Sequence, residues 1–167
     1  MARAGAQSLG VGLEIGIDDP RAEDVQDLLA IHLALSRTVT PPQYFFALDA
    51  DELADGAVTF FTARRDGSLV GIAALKRLDQ NHAELKSMHT REAERRRGVG
   101  RALVGYILAF ARHEGYRQVS LETGPTGEFA GARALYAHFG FTPCGPFGGY
   151  ETSPYNTFMT LELGPGL

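Results

Sequence analysis

The chain of 167 residues contains a single cysteine, Cys144, and no tryptophan. One cysteine excludes a disulfide within the chain and fits the reducing cytoplasm, where we expect the protein to reside. The five histidines show none of the spacings that metal sites use, and no cysteine pair accompanies them, so we expect no metal. Because no apolar run approaches the length of a membrane span, we expect no membrane partner.

Positive charge is also scarce, with 16 lysine and arginine residues against 20 acidic residues and a formal net charge of -4. This balance argues against a protein that binds nucleic acid. Residues 1–10 contain one arginine and no long apolar run, which does not fit a secretory signal. We therefore expect a flexible tail over residues 1–10 and a single domain with a sizeable core over residues 11–167.

A turn dense in arginine and glycine is the strongest feature that the sequence does have. Residues 95–103 read Arg-Arg-Arg-Gly-Val-Gly-Arg-Ala-Leu and lie between an alternating segment and an amphipathic one. Such a turn opens a helix whose first amide groups and positive dipole end favour phosphate. Gly98 and Gly100 would let a diphosphate approach the backbone, and the arginines would add charge-assisted hydrogen bonds. The same residues also fit a solvated basic helix start.

Two familiar phosphate motifs do not fit this turn. A Walker loop ends in Gly-Lys-Ser/Thr, whereas Gly100 is followed by Arg101 and alanine. A dinucleotide fingerprint needs a third glycine where Leu103 stands, and it needs a strand directly before the first glycine. Glu122 ends a predicted strand at the distance of a ribose-binding acid, so a nucleotide-binding oxidoreductase stays open as the weaker alternative.

Hydrophobic periodicity predicts a mixed sheet with helices. The acidic pair and proline at 18–20 predict the start of the first helix, and the strand over 69–75, apolar on both faces, is expected at the centre of the sheet. The predicted elements are a strand over 11–17, a helix to about 37, a short helix over 43–53, strands over 57–64 and 69–75 joined by a turn at 65–68, a strand over 83–90, a helix from 99 to near 115, a strand over 117–123, a helix over 128–139, a return through Phe141 and a last strand over about 156–163.

In this setting Arg95-x-x-Gly98-x-Gly100 resembles the coenzyme A diphosphate loop of the GNAT superfamily of N-acetyltransferases, and the order of elements from about residue 11 is similar. The segment Ala132-x-x-Leu135-Tyr136-x-x-Phe139-Gly140-Phe141 resembles the family's Asn-x-x-Ala-x-x-Leu-Tyr-x-x-x-Gly-Phe helix, with Phe129 in place of asparagine. The resemblance implies an α/β (α+β) GNAT fold. Its central sheet would be mixed, mostly antiparallel, with about six to seven strands flanked by about four helices.

Three further segments narrow the resemblance to a bacterial branch of that superfamily. They are Glu84-Leu85-Lys86-Ser87-Met88, Leu121-Glu122-Thr123-Gly124, and Pro143-Cys144-Gly145-Pro146-Phe147 together with Phe158-Met159. Members of this branch are labelled indole-3-acetic acid acetyltransferase-like or simply N-acetyltransferases.

The resemblance implies an enzyme that moves an acetyl group from acetyl-CoA to a primary amine of a small molecule, amino acid or peptide. Transfer would be direct, without a metal or a covalent enzyme intermediate. The open alternative is a GNAT-like regulatory module that binds coenzyme A without transferring acetyl. The residues implied to contact coenzyme A are Met88, His89, Thr90, Arg95, Arg96, Arg97, Gly98, Val99, Gly100, Arg101, Phe129 and Ala132.

Two residues are implied as catalytic. Tyr136 would give a proton to the departing sulfur, although its apolar neighbours also fit a core tyrosine. Glu84 would take the proton from the amine, since period two places it on the face of Met88 and Thr90, with His89 pointing away. The alternatives for Glu84 are pairing with its neighbour at position 86 or facing water, and water itself could carry the proton.

The acceptor groove is implied to involve the first helices and the loop before the last strand. Its expected residues are His32, Tyr44, Lys86, Phe147 and Tyr150. Their aromatic character favours a semi-apolar acceptor, while the lysine could pair with a substrate carboxylate. The groove would also include Phe45, Phe46 and Tyr155. Core packing is the alternative for these aromatic residues, and it is favoured for Phe45 and Phe46. A homodimer is compatible with the resemblance.

Overall fold

The computed structural model describes residues 7–8 and 12–164. The predicted tail over residues 1–10 therefore lies largely outside the described residues. Of that segment only Gln7–Ser8 is described, as a short strand β1 that pairs antiparallel with β2, Leu13–Ile17.

The described residues contain four α-helices and eight strands, joined in places by single turns of 3-10 helix. The helices are α1 (Glu23–Val39), α2 (Ala50–Leu53), α3 (Val99–His113) and α4 (Ala130–His138). The remaining strands are β3 (Val58–Arg65), β4 (Ser68–Arg77), β5 (His82–Thr90), β6 (Gln118–Thr123), β7 (Thr142–Cys144) and β8 (Thr157–Glu162).

These strands form one sheet in the order β1-β2-β3-β4-β5-β6-β8-β7. All neighbours run antiparallel except β5 and β6, which are parallel. The predicted mixed, mostly antiparallel sheet is confirmed, and the two-residue β1 takes the strand count above the expected range. The predicted central strand is also confirmed, because residues 69–75 are buried throughout and β4 lies between β3 and β5.

Helices cover both faces of the sheet, which explains why β4 is apolar on both sides. On one face α3 buries Val99, Leu103 and Ile107 against the alternating apolar residues of the strands. On the other face α1 contributes Val25 and Leu28 to a second cluster. The apolar stripe of α3 matches the helical period that predicted it.

The acidic pair at 18–19 does not cap the first helix, so that prediction is wrong. Helix α1 begins at Glu23, after Ala22, which makes no side-chain cap. Asp18 instead accepts hydrogen bonds from Thr62 Oγ1 at 2.8 Å and Arg64 Nη2 at 3.2 Å. Its carboxylate therefore links the end of β2 to the buried arginine of β3.

The predicted helix over 43–53 divides into two pieces. A turn of 3-10 helix covers Pro42–Tyr44, and α2 starts later with its own capping box. In that box Asp49 accepts from the Glu52 amide at 2.9 Å, and the Glu52 side chain accepts from the Asp49 amide at 3.3 Å. This local cap fixes a new helix start, which separates the two turns.

A bulge in β5 overturns the expected alternation of its side chains. Ile72 pairs with His89 but Ala74 pairs with Lys86, so β5 has one residue more than β4 in this interval. Ser87 takes a φ of 57° at this point. An extra residue in a strand reverses which face the following side chains occupy.

The faces on either side of the bulge follow from their contacts. Glu84 and Lys86 line a cavity together with Leu33 and Arg37 of α1. Met88 packs instead on the cluster that contains α3. The prediction that Glu84 shares a face with Met88 and Thr90 is therefore wrong.

Candidate active site

A cavity of about 150 Å³ opens where the parallel strands β5 and β6 separate. Their pairing runs from His82 with Gln118 to Leu85 with Leu121 and goes no further. Beyond these residues the cavity is lined by both strands, by α4 and by the 3-10 turn before it, and by α1. The carboxyl ends of parallel strands are a common place for ligands to bind.

Glu84, which is buried, forms a hydrogen-bonded triad with the half-buried Lys86 and Tyr150 beside this cavity. Lys86 Nζ lies 3.0 Å from Glu84 Oε2 and donates to the Tyr150 hydroxyl at 2.6 Å. Tyr150 in turn donates to the same Glu84 oxygen at 2.5 Å. Burial first, and the charge of Glu84 second, raise the pKa of Tyr150, so its hydroxyl stays protonated. The structure thus shows Glu84 paired with Lys86, which is one of the alternatives stated for Glu84 from the sequence.

A second cavity of about 540 Å³ shares part of this wall and reaches the side of α1 and α2. Glu84, Lys86 and the aromatic residues Phe45 and Phe46 line both cavities. The expectation that the two phenylalanines lie in the core is wrong, because Phe46 is 39% exposed and both form cavity walls. The triad therefore stands between the two spaces.

Glu122 lines the first cavity, although the sequence did not predict it among the catalytic or acceptor-binding residues. Burial, followed by the charge of Glu84, raises its pKa to about 7, while Lys86 and Asn156 favour the charged form. The parallel pairing of Glu84 with Ser120 puts Glu122 two residues further along the same face of β6. That period-two position is the signal that could have identified it.

Tyr136 belongs to the core and to the cavity wall at once. Its side chain is 5% exposed, and its ring meets that of Phe141 edge-on at 5.8 Å. It also lines the first cavity. Because burial raises its pKa, the hydroxyl keeps its proton at neutral pH and could donate it.

Ser87 was not singled out from the sequence, since a bulge leaves no clear pattern there. Its hydroxyl oxygen is buried and has no hydrogen-bond partner among the described residues. The residue also lines the first cavity, at the point where its positive φ bends β5. Strained backbone clusters at functional sites, and a catalytic role is one explanation for a buried hydroxyl without a partner.

The arginine-rich turn leads directly into α3, as predicted. Gly98 is the residue before the helix, with a left-handed φ of 83° that favours glycine, and it makes no side-chain cap. A Cβ on Gly100 would lie 3.1 Å from Leu135 Cδ2, so this glycine lets α3 approach α4. The arginines at 95, 96, 97 and 101 are exposed, and Arg97 Nη1 lies 3.2 Å from Glu94 Oε1.

His89 does not point away from Glu84, so that expectation is wrong. It follows the bulge on the α1 side, where its Nδ1 lies 3.2 Å from Nδ1 of His32. Burial is the main cause that lowers the pKa of both rings to about 4. Proximity to His89 lowers the pKa of His32 further, and the charges of Arg95 and Arg91 lower that of His89 further. Both imidazoles are therefore neutral at pH 7.

The remaining predicted residues fall into three groups. Tyr44, His32, Met88, Phe129 and Ala132 line the first cavity, and Tyr150 lines the second. Phe147 lines neither of these cavities, because its ring packs with those of His82, Tyr150 and Phe158. The loop residues 95–101 and Thr90 lie outside both cavities, toward the start of α3.

Among the described residues, no group of three or more His, Cys, Asp or Glu side chains could hold a metal ion. Among the helices of residues 12–164, none combines the length and apolar character needed to cross a membrane.

Comparisons with known proteins agree with this geometry. The sequence model of the acetyltransferase (GNAT) family matches residues 25–141. The chain is 38% identical to the uncharacterized N-acetyltransferase YsnE of Bacillus subtilis, over 90% of this chain and 100% of YsnE. It is 35% identical to the IAA acetyltransferase of Azospirillum brasilense, over 74% of this chain and 80% of that protein.

Solved structures support the fold. A GNAT family acetyltransferase of Elizabethkingia anophelis, solved with acetyl-CoA bound, superposes with a TM-score of 0.65. The alignment covers 90% of this chain and 98% of that one at 18% sequence identity.

Proposed function

The chain belongs to the acetyltransferase (GNAT) family as an acyl-CoA-dependent N-acyltransferase, and we propose that it moves an acetyl group from acetyl-CoA to a primary amine. The acceptor would be a small molecule, an amino acid or a peptide, and transfer would be direct. The observation that carries this proposal is the opening between β5 and β6, whose walls bring Tyr136 together with two carboxylates. Membership of this family leaves the oxidoreductase alternative without support.

The residues around this opening fit acetyl-CoA, which would supply the activated acetyl group. Residues 95–101 would hold the diphosphate, since the exposed arginines surround the first amides of α3. Beyond Leu85, β5 has no described strand on its β6 side, so its backbone there can pair with an extended arm. Phe129 and Ala132 would close the opposite wall.

Three groups of the chain would act on the reacting atoms. Tyr136 would give its proton to the departing sulfur. The amide of Met88 would donate to the thioester oxygen, and the buried Ser87 hydroxyl lies next to it in sequence. The amine would lose its proton to Glu84 or to water, although both Lys86 and Tyr150 already occupy one Glu84 oxygen.

Calorimetry with acetyl-CoA, followed by an assay of thiol release, tests the proposal. We expect binding by the wild type and much weaker binding by Arg95→Ala. Arg112→Ala removes the same charge from the exposed last turn of α3 and should bind like the wild type. Unchanged binding by Arg95→Ala would contradict the assignment of the diphosphate site.

The thiol assay uses a panel of phenethylamine, tryptamine, putrescine, lysine and an alanine-first tripeptide. We expect release of coenzyme A with at least one of these amines. Binding of acetyl-CoA without release for any amine would favour the module that holds coenzyme A and transfers nothing. A cytoplasmic location and a homodimer remain part of the proposal.

A further inference from the structure

The carboxylate of Glu122 lies where β5 and β6 separate, and the cavity there has fewer lysine and arginine residues than carboxylates. Glu122 follows Leu121, the last residue of β6 that pairs with β5, and it lines the cavity that contains Tyr136. Lys86 is the only lysine or arginine among the described residues lining this cavity, and it already contacts Glu84 and a tyrosine hydroxyl. The cavity is therefore short of one positive charge when both carboxylates are ionised.

We propose that Glu122 binds the acceptor as an ammonium ion and then takes a proton from its nitrogen. This role rests on the proposed acetyl transfer, and it moves the base from Glu84 to the neighbouring strand. An arriving ammonium ion supplies the missing charge, and a buried carboxylate gains more from such a partner than an exposed one does. Glu84 keeps a positioning role, because it holds Lys86 and Tyr150 in the cavity wall.

The surroundings of Glu122 suit this task. Burial raises its pKa to about 7, with a further increase from Glu84, whereas Lys86 and Asn156 lower it. A base whose pKa lies near the working pH is ionised often enough to act and still holds a proton well. The other titratable groups lining this cavity are His32 of α1, Tyr136 of α4, Tyr44 of the 3-10 turn before α2, and Tyr155 of the loop before β8.

The protons and bonds balance in the proposed step. The nitrogen gives one proton to Glu122, which releases it to water, and its free electron pair forms the bond to the acetyl carbon. The carbon–sulfur bond breaks, and the sulfur takes the proton of Tyr136. The second proton of the nitrogen replaces the one that Tyr136 gave up, so an amide and a free thiol are the products.

The pH dependence of kcat/KM with the fastest amine of the panel tests the proposal. In the wild type we expect kcat/KM to rise with pH up to about 7, where Glu122 becomes ionised, and then to level off. In Glu122→Gln only the neutral amine can react. Its kcat/KM should fall by about 100-fold or more at pH 7. It should then keep rising toward the pKa of the amine itself, about 10 for an alkyl ammonium.

Two further variants make the assignment specific. Glu84→Gln should keep the rise but move it to lower pH, because the charge of Glu84 raises the pKa of Glu122. Glu162→Gln removes a carboxylate from the exposed end of β8 and should leave the profile unchanged. The proposal is overturned if Glu122→Gln keeps both the rise near pH 7 and most of its activity.

A titration of the wild type by 13C NMR, with labelled glutamate carboxyls, does not depend on turnover. The Glu122 signal is identified by its loss in Glu122→Gln. In the presence of coenzyme A, saturating amine should lower the pKa of Glu122, because a cation stabilises its charged form. An unchanged pKa would overturn the role of Glu122 even if acetyl transfer occurs, whereas absent turnover with a lowered pKa would overturn the transfer alone.

Discussion

Replacing Gly71 by alanine should loosen the start of α3, which carries the proposed diphosphate loop. A Cβ at this position of β4 would lie 2.9 Å from Leu103 Cδ1 and 3.0 Å from Val99 Cγ1, with the His89 carbonyl oxygen at 3.3 Å. Both side chains are almost completely buried, and valine is stiff at its branch point. The first turn of α3 must therefore move away from the sheet.

The expected cost follows from two opposing effects. Overpacking of a buried site costs about 1–3 kcal/mol. Alanine in place of glycine regains about 0.4–1 kcal/mol from the unfolded chain, because the φ of Gly71 lies outside the left-handed region. A net loss of about 1–2 kcal/mol should lower the melting temperature by about 2–8 °C in a domain of this size.

Gly105→Ala is the matched control, since it makes the same change in the middle of α3. Its Cβ would lie 3.7 Å from Phe139 Cε1, an ordinary contact. The helix should gain about 0.5–1 kcal/mol. Differential scanning calorimetry and acetyl-CoA titration measure both variants, and affinity should fall only for Gly71→Ala. A melting temperature of Gly71→Ala at or above that of the wild type would refute this reasoning.

Three more predictions concern the site and its support. Tyr136→Phe should lower kcat by about 100-fold or more without changing the affinity for acetyl-CoA. The thiol release assay measures kcat, and calorimetry measures the affinity. Arg64→Met removes a buried guanidinium that donates hydrogen bonds to both Asp18 and Asp24. The free energy of unfolding, measured with urea, should fall by about 3 kcal/mol. The pKa of His32 falls from 6.5 unfolded to about 4 folded, so the unfolded chain binds more protons between these values. Stability should therefore decline as pH falls from 6.5 toward 4, and His32→Gln should flatten that decline.

The parts of the fold that follow a regular period could be predicted from the sequence. The predicted bounds of helix α3 agree with the structure to within two residues. Its apolar residues repeat with the helical period because they are buried against one face of the sheet. The hairpin of β3 and β4 was found from its turn, where Asp66 and Gly67 both take positive φ. The predicted helix cap at Asp18 is wrong because its carboxylate binds Arg64, which is 46 residues away in sequence and leaves no local signal.

The site was only partly predictable, for a physical reason. The positions of Tyr136 and Met88 at the cavity could be predicted, because each residue belongs to a motif that occupies one continuous segment. The pairing of Glu84 with Tyr150 joins residues 66 positions apart, and nothing local to either one signals it. Glu122 gains its unusual environment from burial and from a charge on another strand, which become visible only when the sheet is assembled.

The bulge at Ser87 lets a single strand serve two opposite faces of the sheet. Before it, Glu84 and Lys86 face the side of α1, where the larger cavity opens. After it, Met88 faces α3, where the proposed diphosphate loop begins. Without the extra residue, strict alternation would place Met88 on the face of Glu84, and its packing on the cluster that contains α3 would be lost. If the proposed direct transfer is right, the bulge would let the amine approach this strand from the side of Glu84 and the acetyl donor from the side of Met88.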